Sequence, residues 1–387
     1  MLINRLISLD KRISSLWIGP RQSGKSTLIS AALENEKVFT LNLLDLDLYR
    51  RYLSHPGQFK KDVEYQIDHQ QIEFIFIDEI QKIPELTNEV HLLIEKYKAK
   101  NIKFILSGSS ARKLKRGNAN LLGGRAVLKK LFPLLSLELK DYFSLETCLQ
   151  YGSLAGIYFA PHELKIQKLK AYVETYLKEE IAQEGLVRNF DLFNRFFDVA
   201  AIYSAELINY SNIARESAIS VKTVQNYFSI LEETLLAFHL PAWDKSLKRQ
   251  LSKHSKFYFC DNGIWNAINK HLNDPLHPAI RGKMFEQWFI NEVRAILSYA
   301  NSEMSMHFWR TERGEFEVDL ILSKSHEVPT AIEIKAKQNI TQSDLTSLKK
   351  FKSEFTTAKL YCIYEGEQSY VEDEIEPVDN FDDAVRG

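Results

Sequence analysis

The chain of 387 residues is nearly neutral, with a formal net charge of −1, and 45% of its residues are hydrophobic. Two or three domains with ordinary apolar cores fit this length. The three cysteines, Cys148, Cys260 and Cys362, are far apart, which argues against a disulfide framework and a thiolate zinc site. The charged start of the chain and the lack of a long apolar run argue against a signal peptide and a membrane span. We therefore expect a cytoplasmic protein without a membrane partner.

The charges are distributed unevenly along the chain. Residues 364–387 contain nine acidic groups and one arginine, and the remainder has 49 basic and 42 acidic residues, a net of +7. A mildly basic body permits nucleic-acid binding without requiring it. The simplest interpretation of the acidic tail is a solvated end.

The first chemical motif is "GPRQSGKS" at residues 19–26, which follows a short apolar run and precedes a helical pattern. Its glycines allow backbone N–H groups to surround phosphate oxygens at a helix N-terminus. Lys25 is expected to reach the β and γ phosphates, and Ser26 to bind Mg²⁺. The predicted nucleotide-binding residues are Gly19, Pro20, Arg21, Gln22, Ser23, Gly24, Lys25, Ser26 and Thr27.

A second motif, "FIFIDEIQ" at residues 74–81, ends an apolar run in two carboxylates. Continuous apolar runs are typical of buried parallel strands, and ligands bind at the carboxyl ends of such strands. Asp78 is predicted to hold Mg²⁺ through water, and Glu79 to polarise the attacking water. The next strand, within residues 102–110, has a polar end, Ser107 to Ser110, that could place a hydroxyl near the γ-phosphate.

The segment of residues 110–130 contains seven lysines and arginines and no acid. Three interpretations are open: a solvated loop, a loop that faces DNA, or an arginine finger that stabilises a phosphoryl transition state. For the finger, Arg125 is the best candidate.

The stretches "IGPRQSGKSTL", "FIFIDEIQ", "ILSGSSARKLKRG" and "LLGGRAVLKKLFPLLSLEL" resemble AAA+-type ATPases of bacteria and archaea that carry a C-terminal domain of uncharacterised function. The likeness covers residues 13–139, and "PLLSLEL" departs from the usual pattern by one extra leucine. It implies ATP and Mg²⁺ as cofactors, the roles given above for Lys25, Ser26, Asp78 and Glu79, and Arg125 as the finger. A finger that acts in trans would require a homo-oligomer.

The middle of the chain has two features. Residues 162–200 read as helical and fit the lid that follows an AAA+ core. Residues 208–240 have the layout of a helix-turn-helix, with Ser211 capping one helix and Ser220 or Lys222 opening the next. The second helix of such a module can enter the major groove of DNA, or the module can bind protein or be purely structural. The candidate DNA contacts are Lys222, Thr223, Gln225 and Asn226.

A second basic patch follows the helix-turn-helix. Within residues 243–257 only Asp244 opposes five cations: Lys245, Lys248, Arg249, Lys253 and Lys256. We interpret this stretch as a linker or wing with a solvated basic surface.

Two stretches with period-two alternation, residues 315–322 and 330–337, predict a β-hairpin. If the hairpin is symmetric about His326, the numbers of two residues that face each other across the strands add up to 652. Cross-strand ion pairs of the ordinary kind would then join Glu315 to Lys337 and Glu317 to Lys335.

The same register places Asp319 opposite Glu333, and like charges in that position are destabilising unless they are neutralised. Mg²⁺ would neutralise them, since it is bound by one or two carboxylates, water and phosphate oxygens. Lys335 could then orient water or stabilise a pentavalent phosphate. The predicted metal site is therefore Asp319 with Glu333.

The D-x₁₃-E-x-K pattern resembles the PD-(D/E)xK nuclease superfamily, although Val318 stands where a proline is usual. That superfamily often adds a glutamate from a preceding helix. A helix predicted after Gly282 offers Glu286 beside an apolar stripe of Phe285, Phe289, Val293 and Ile296. The resemblance implies that Glu286, Asp319, Glu333 and Lys335 are catalytic.

The sequence as a whole predicts an α/β protein with three regions. These are a P-loop NTPase (AAA+-like) domain at residues 1–145, a helical lid and winged helix at 146–245, and an α/β restriction-endonuclease-like domain with the acidic tail at 246–387. The expected function is ATP hydrolysis coupled to action on DNA, with a Mg²⁺-dependent nuclease site in the last region. The alternative is a nucleotide-switched regulatory ATPase whose nuclease-like domain is non-catalytic.

Overall fold

The computed structural model describes residues 3–110, 124–177, 190–244, 250, 254–324 and 327–366. The chain forms two compact units. The first consists of Met1–Asp141, Leu154–Phe159 and Ile230–Leu236, and the second of Tyr142–Ser153, Ala160–Ser229 and Ala237–Gly387. No helix within the described ranges is long and apolar enough to cross a membrane. Nearly all of the acidic tail and most of the basic segment 110–130 lie outside the described residues.

The strands and helices are numbered here in chain order. The strands are β1 (Ser15–Ile18), β2 (Val38–Asn42), β3 (Phe74–Asp78), β4 (Lys103–Gly108), β5 (Val127–Lys130), β6 (Ala237–Leu240), β7 (Lys256–Phe259), β8 (Ser305–Arg310), β9 (Glu317–Ser323), β10 (Thr330–Lys335) and β11 (Lys359–Tyr364). The helices are α1 (Lys25–Ala32), α2 (Leu46–Ser54), α3 (Pro56–His69), α4 (Leu86–Lys96), α5 (Ser136–Leu139), α6 (Leu145–Tyr151), α7 (Ala155–Tyr158), α8 (His162–Ala171), α9 (Phe190–Ile202), α10 (Tyr210–Ser217), α11 (Val221–Glu233), α12 (Asn262–Ile268), α13 (Pro278–Tyr299) and α14 (Thr346–Glu354). A π-helical turn at Tyr172–Leu177 follows α8.

The first unit is built on a parallel five-stranded sheet in the order β2-β3-β4-β1-β5. All residues of β1 and β3 are buried, as their unbroken apolar runs predict for strands covered on both faces. Apolar residues of α3 and α4, such as Phe59 and Val90, pack against Ile75 and Ile77 in the same core. Because the strands are parallel, the carboxyl ends of β1, β3 and β4 meet at one edge of the sheet.

In the second unit, two helices and a two-stranded sheet occupy the predicted helix-turn-helix region. The cap of α10 is Asn209, whose side chain accepts from the N–H of Ser211, so the prediction of Ser211 as the cap was wrong. Ser220 accepts from the N–H of Thr223 at 3.1 Å and opens α11 as predicted. The strands β6 and β7 that follow are antiparallel. The predicted boundary at residues 245 and 246 falls between these two paired strands.

A mixed four-stranded sheet, in the order β11-β10-β9-β8, occupies the last third of the chain. The pairs Thr330–Leu322, Ala331–Ile321 and Ile332–Leu320 confirm the predicted hairpin register. The turn at residues 325–326 lies outside the described residues. Leu348 and Phe351 of α14 pack against this sheet.

The helix that carries Glu286 begins earlier than predicted. Pro278 occupies its first turn, a position that proline favours, and His277 caps it. Gly282 therefore lies inside α13 and does not precede it. The predicted stripe of Phe285, Phe289, Val293 and Ile296 is buried.

Candidate nucleotide site and a buried carboxylate cluster

The loop between β1 and α1 has the geometry of a phosphate-binding turn. Gly24 adopts a left-handed conformation with φ of 93°, which favours glycine. A Cβ atom on Gly19 would lie 2.2 Å from the carbonyl oxygen of Leu131, so only glycine fits there. The buried Lys25 ammonium donates to the carbonyl oxygens of Gly19 at 2.8 Å and Pro20 at 3.0 Å. The predicted strand–loop–helix motif is thus formed, with the lysine folded inside the loop.

Oxygen ligands from two motifs converge beside this loop. Ser26 Oγ, in the first turn of α1, donates to Asp78 Oδ1 at the end of β3 over 3.1 Å. Ser107, at the end of β4, also donates to Asp78 Oδ1. A hydroxyl and a carboxylate at one point are the hard oxygen donors that Mg²⁺ prefers. The donor set therefore fits the ion predicted for Ser26 and Asp78.

Glu79, the predicted water-polarising residue, is held in an unusual position. Its backbone is left-handed, with φ of 60°. The side-chain amide of Gln81, which is buried, donates to Glu79 Oε2 and, over 3.0 Å, to Ser109 Oγ at the end of β4. Gln81 belongs to the motif at residues 74–81, but it was not among the predicted site residues. Its contact with Glu79, two residues earlier, leaves no periodic signal in the sequence.

A largely apolar cavity of about 490 Å³ lies next to the loop and reaches Gly24 and Thr27. Its apolar lining comes from Ile7, Leu9, Leu28, Ala31, Leu134 and Phe159. Arg5, at its rim, forms a buried ion pair with Glu138 at 2.9 Å and donates to the carbonyl oxygen of Ser23 at 2.9 Å. Neither Arg5 nor Glu138 was predicted, because their importance depends on a contact between segments 133 residues apart.

Arg125 does not join the other predicted residues of the phosphate site. It lies two residues before β5, and Val127 of β5 pairs with Ser15 at the start of β1. The phosphate-binding loop follows the opposite end of β1, about 13 Å away along the strand. Arg125 instead forms an ion pair with Glu95, in which both side chains are partly exposed. Within one chain, Arg125 and the phosphate-binding loop therefore lie at opposite ends of the parallel strands.

In the second unit, the structure brings together the four predicted residues of the last third. Glu286 comes from α13, Asp319 from β9, and Glu333 and Lys335 from β10. Burial, followed by the negative charge of Glu286, raises the pKa of Asp319 to about 6. Burial, together with the charge of Asp319, also raises the pKa of Glu333 well above its usual value. The predicted like-charge conflict between Asp319 and Glu333 is therefore present.

Two further residues complete this cluster, and sequence reasoning assigned neither to it. Lys256 Nζ lies 3.0 Å from Glu286 Oε1 and 2.7 Å from Glu317 Oε1. The Tyr258 hydroxyl donates to Glu286 Oε1 at 2.6 Å. Burial alone would lower the pKa of Lys256, but the charges of Glu286, Asp319 and Glu317 raise it well above the ordinary value. Lys256, which was predicted to belong to a solvated basic surface, is thus buried within the cluster.

The hairpin lysines have other partners than predicted. Lys335 pairs with Glu333 of its own strand, Lys337 pairs with Asp344, and Glu317 pairs with Lys256. The predicted cross-strand pairs were therefore wrong, because nearer partners from outside the hairpin compete for them. The remaining cations of the second basic patch, Lys245, Lys248, Arg249 and Lys253, lie outside the described residues.

At the predicted metal site, one oxygen of Asp319 and one oxygen of Glu333 already accept hydrogen bonds. Asp319 Oδ2 accepts from the backbone N–H of Ile334 at 2.8 Å, and Glu333 Oε1 accepts from Lys335. In the described part of the chain, no group of three or more His, Cys, Asp or Glu side chains is arranged to hold a metal. Glu333 Oε2 is buried without a hydrogen-bond partner. Lys256 and Lys335 supply positive charge near the two carboxylates that the register brings together.

The start of α11 presents polar groups to solvent. Lys222, Gln225 and Asn226 are exposed and Thr223 is half-buried, whereas Val224 and Phe228 face the core. Phe228 packs against Phe257 of β7, with their ring centroids 4.6 Å apart. The apolar face predicted for this helix is confirmed, and the four candidate DNA contacts lie off the core.

Residues 12–140 match the family model of an AAA domain. Over these residues the chain is similar to AAA domains. The match coincides with the parallel sheet, the phosphate-binding loop, and the Asp78–Glu79 pair. Later in the chain, residues 143–274 and 281–381 match two models that are each described as a domain of unknown function (DUF8612 and DUF4143).

Two uncharacterised proteins are similar to long stretches of this chain. The uncharacterised protein Rv2008c of Mycobacterium tuberculosis is 24% identical over 358 residues, which cover 92% of this chain and 77% of that protein. An uncharacterised protein of Haemophilus influenzae is 25% identical over 279 residues, which cover 65% of this chain and 68% of that protein. These relatives give no activity to transfer.

Solved structures with some likeness include a DnaA protein and an ORC1 protein. AMPPCP-bound DnaA from Aquifex aeolicus is 14% identical, with a TM-score of 0.29, over 58% of this chain and 83% of that chain. The Aeropyrum pernix ORC1 protein in complex with DNA is 10% identical, with a TM-score of 0.32, over 67% of this chain and 86% of that chain. At such low scores they add nothing to the assignment of the AAA domain.

Proposed function

We propose that the AAA domain binds ATP with Mg²⁺ and hydrolyses it. The observation that carries this proposal is the meeting of Ser26, Asp78 and Glu79 beside the loop that holds Lys25. Lys25 neutralises phosphate charge, and Ser26 and Asp78 hold the ion, which offsets charge on the phosphates when it is bound. Glu79 accepts a hydrogen bond from the attacking water and orients it.

The apolar cavity beside the loop is suited to the base of the nucleotide. Ligand pockets are largely apolar with a few placed polar groups, and this cavity reaches Gly24 and Thr27 at the loop. The buried Arg5–Glu138 pair fixes the segment that forms one wall, because Arg5 also holds the Ser23 carbonyl of the loop. The loop and the base cavity therefore share one rigid support.

ATP hydrolysis by four proteins tests this assignment. Lys25→Ala is expected to lose ATP binding and hydrolysis, whereas Glu79→Gln keeps binding and loses hydrolysis. Lys37→Ala, which removes an exposed lysine of the same unit, is the matched control and should behave as wild type. ATPase activity that survives Lys25→Ala would show that the site lies elsewhere.

For the second unit, we propose that the start of α11 contacts DNA and that the contact depends on the nucleotide. Exposed Lys222, Gln225 and Asn226 on the second helix of a helix-turn-helix, followed by the β6–β7 pair, support a winged-helix role. The measurement is DNA affinity with ATP and with ADP. Lys222→Ala combined with Gln225→Ala should weaken binding, whereas Lys283→Ala, on α13, should not. Equal affinity in the two nucleotide states would rule out the switch.

Of the two roles considered for the last third, we propose the non-catalytic one. Of each carboxylate that a nuclease would use for metal, one oxygen is already engaged, by Lys256, Lys335 or the Ile334 N–H. Wild-type protein incubated with DNA, ATP and either Mg²⁺ or Mn²⁺ should leave the DNA intact. Cleavage that is lost in Asp319→Ala would instead establish the nuclease role.

A further inference from the structure

Two carboxylates of the cluster in the second unit face the ammonium group of Lys256. Glu286 and Glu317, from a helix and a strand, direct one oxygen each to Lys256 Nζ, at 3.0 and 2.7 Å. The side chain of Lys256 is only 4% exposed. A buried lysine is costly unless it is paired, so these carboxylates are what keep it charged inside the protein.

The backbone fixes this ammonium in place. Lys256 pairs with Leu240 across β6 and β7, and on its other side it forms a bridge with Leu207. Its neighbour two residues on, Tyr258, is fully buried and donates to the same Glu286 oxygen. The ammonium group of Lys256 is therefore carried by a strand that is paired on both sides.

Geometry and charge both favour the lysine over a metal at this point. Mg²⁺ needs carboxylate oxygens about 2.0–2.1 Å away and retains several waters. Here the oxygens of Glu286 and Glu317 lie at hydrogen-bond distances from nitrogen, and the ammonium stands between them. A divalent ion in the same cluster would meet a like charge that is already buried.

We infer that Lys256 is the built-in cation of this cluster and excludes divalent metal from it. Its ammonium pairs with Glu286 and Glu317, and its charge also acts on Asp319, one of the two carboxylates at which Mg²⁺ was predicted. Loss of that ammonium leaves Lys335 with Glu286, Glu317, Asp319 and Glu333, and this surplus of negative charge then attracts a divalent cation. This inference rests on the proposed non-catalytic role of the last third and gives its physical cause.

Titration of the full-length, nucleotide-free protein with Mn²⁺, followed by the electron paramagnetic resonance signal of free Mn²⁺, tests the inference. Wild type is expected to show no saturable site that Asp319→Asn removes, since Mn²⁺ held by Ser26 and Asp78 would not depend on Asp319. Lys256→Met and Lys256→Gln should each gain one site per chain, and adding Asp319→Asn should remove it. Lys256→Arg, which keeps the charge, and Lys283→Met, which neutralises a lysine paired with Glu206 on the surface, are the matched controls and should gain none.

Two results would overturn the inference. One is a saturable site in wild type that disappears in Asp319→Asn, since Lys256 would then not exclude metal. The other is a folded Lys256→Met or Lys256→Gln protein that binds no Mn²⁺. If neither neutral variant folds, the wild-type titration decides alone. A titration without an Asp319-dependent site then supports the inference, and one with such a site contradicts it. ATP hydrolysis is not involved, so failure here leaves the proposed ATPase untouched.

Discussion

The amide of Gln81 donates to the carboxylate of Glu79, two residues before it, at the edge of the parallel sheet. The same amide donates to Ser109 at the end of β4, so Gln81 ties Glu79 to the neighbouring strand. A Cβ atom on Gly108 would lie 2.7 Å from Gln81 Oε1, which shows how closely this side chain is seated. Gln81 is thus a positioning residue for the group that is proposed to orient water.

Gln81→Ala is expected to lower kcat for ATP hydrolysis by roughly tenfold to a hundredfold, because small displacements of a catalytic group have effects of this size. KM should change little, since Gln81 is not part of the loop that holds Lys25. Steady-state kinetics measures the split. Gln70→Ala, on an exposed position after α3, is the control. An unchanged kcat would mean that Glu79 needs no such support.

Gly19→Ala should destabilise the AAA domain and abolish nucleotide binding. Its methyl group would meet the Leu131 carbonyl oxygen at 2.2 Å, and a backbone atom cannot give way cheaply. The expected loss is about 1–3 kcal/mol in the free energy of unfolding, the range for overpacking. Gly57→Ala is the matched control, because nothing lies within 4 Å of its added methyl in α3. Thermal unfolding should show that only the first substitution lowers Tm.

If Arg125 is an arginine finger, it acts at the phosphate site of another chain. In its own chain it lies at the opposite end of the parallel strands. Its ion pair with Glu95 is partly exposed and therefore weak enough to exchange for another partner. Arg125→Ala and Lys25→Ala should each be inactive alone, and a mixture of the two should regain ATPase activity. Full activity of Arg125→Ala alone, or no recovery on mixing, would contradict a finger that acts in trans.

The raised pKa of Asp319 predicts a specific pH dependence of stability. With the pKa near 6 in the folded state and 3.8 as the ordinary value, the folded protein keeps a proton that the unfolded chain releases. The stability associated with that proton is fully present below pH 4 and falls as the pH rises through 6. Relative to Asp319→Asn, wild type should lose on the order of 2 kcal/mol across this window. Denaturant unfolding at pH 4, 5, 6 and 7 measures the difference, and parallel curves would contradict it.

The parts of the site that follow from local sequence were predictable. The loop at Gly19–Ser26 and the Asp78–Glu79 pair each lie within one short motif, and the alternation of β9 and β10 fixed their register. The placement of Glu286 near Asp319 also followed, from the resemblance and the stripe of α13. In these cases the residues that matter are close in sequence or are related by a regular period.

The contacts that sequence reasoning missed are long-range and polar. Lys256 reads as one more cation in a basic stretch, and its burial depends on meeting Glu286 and Glu317, 30 and 61 residues later in the printed sequence. Arg5 likewise gains its role from Glu138. Neither pair leaves a periodic or compositional signal. The hairpin ion pairs failed for the related reason that partners outside the hairpin were closer.

The strand pairing of Lys256 has a consequence for how this chain can be divided. The segment at residues 281–381 that matches a domain of unknown function begins after β7, so a fragment cut to that segment contains Glu286, Glu317, Asp319 and Glu333 but not Lys256 or Tyr258. Such a fragment would keep Lys335 but lose the second ammonium, and would carry a surplus of negative charge at these acids. An expression fragment that folds as the native protein does must therefore start upstream of β6, and metal binding seen in a shorter piece would report on the cut rather than on the protein.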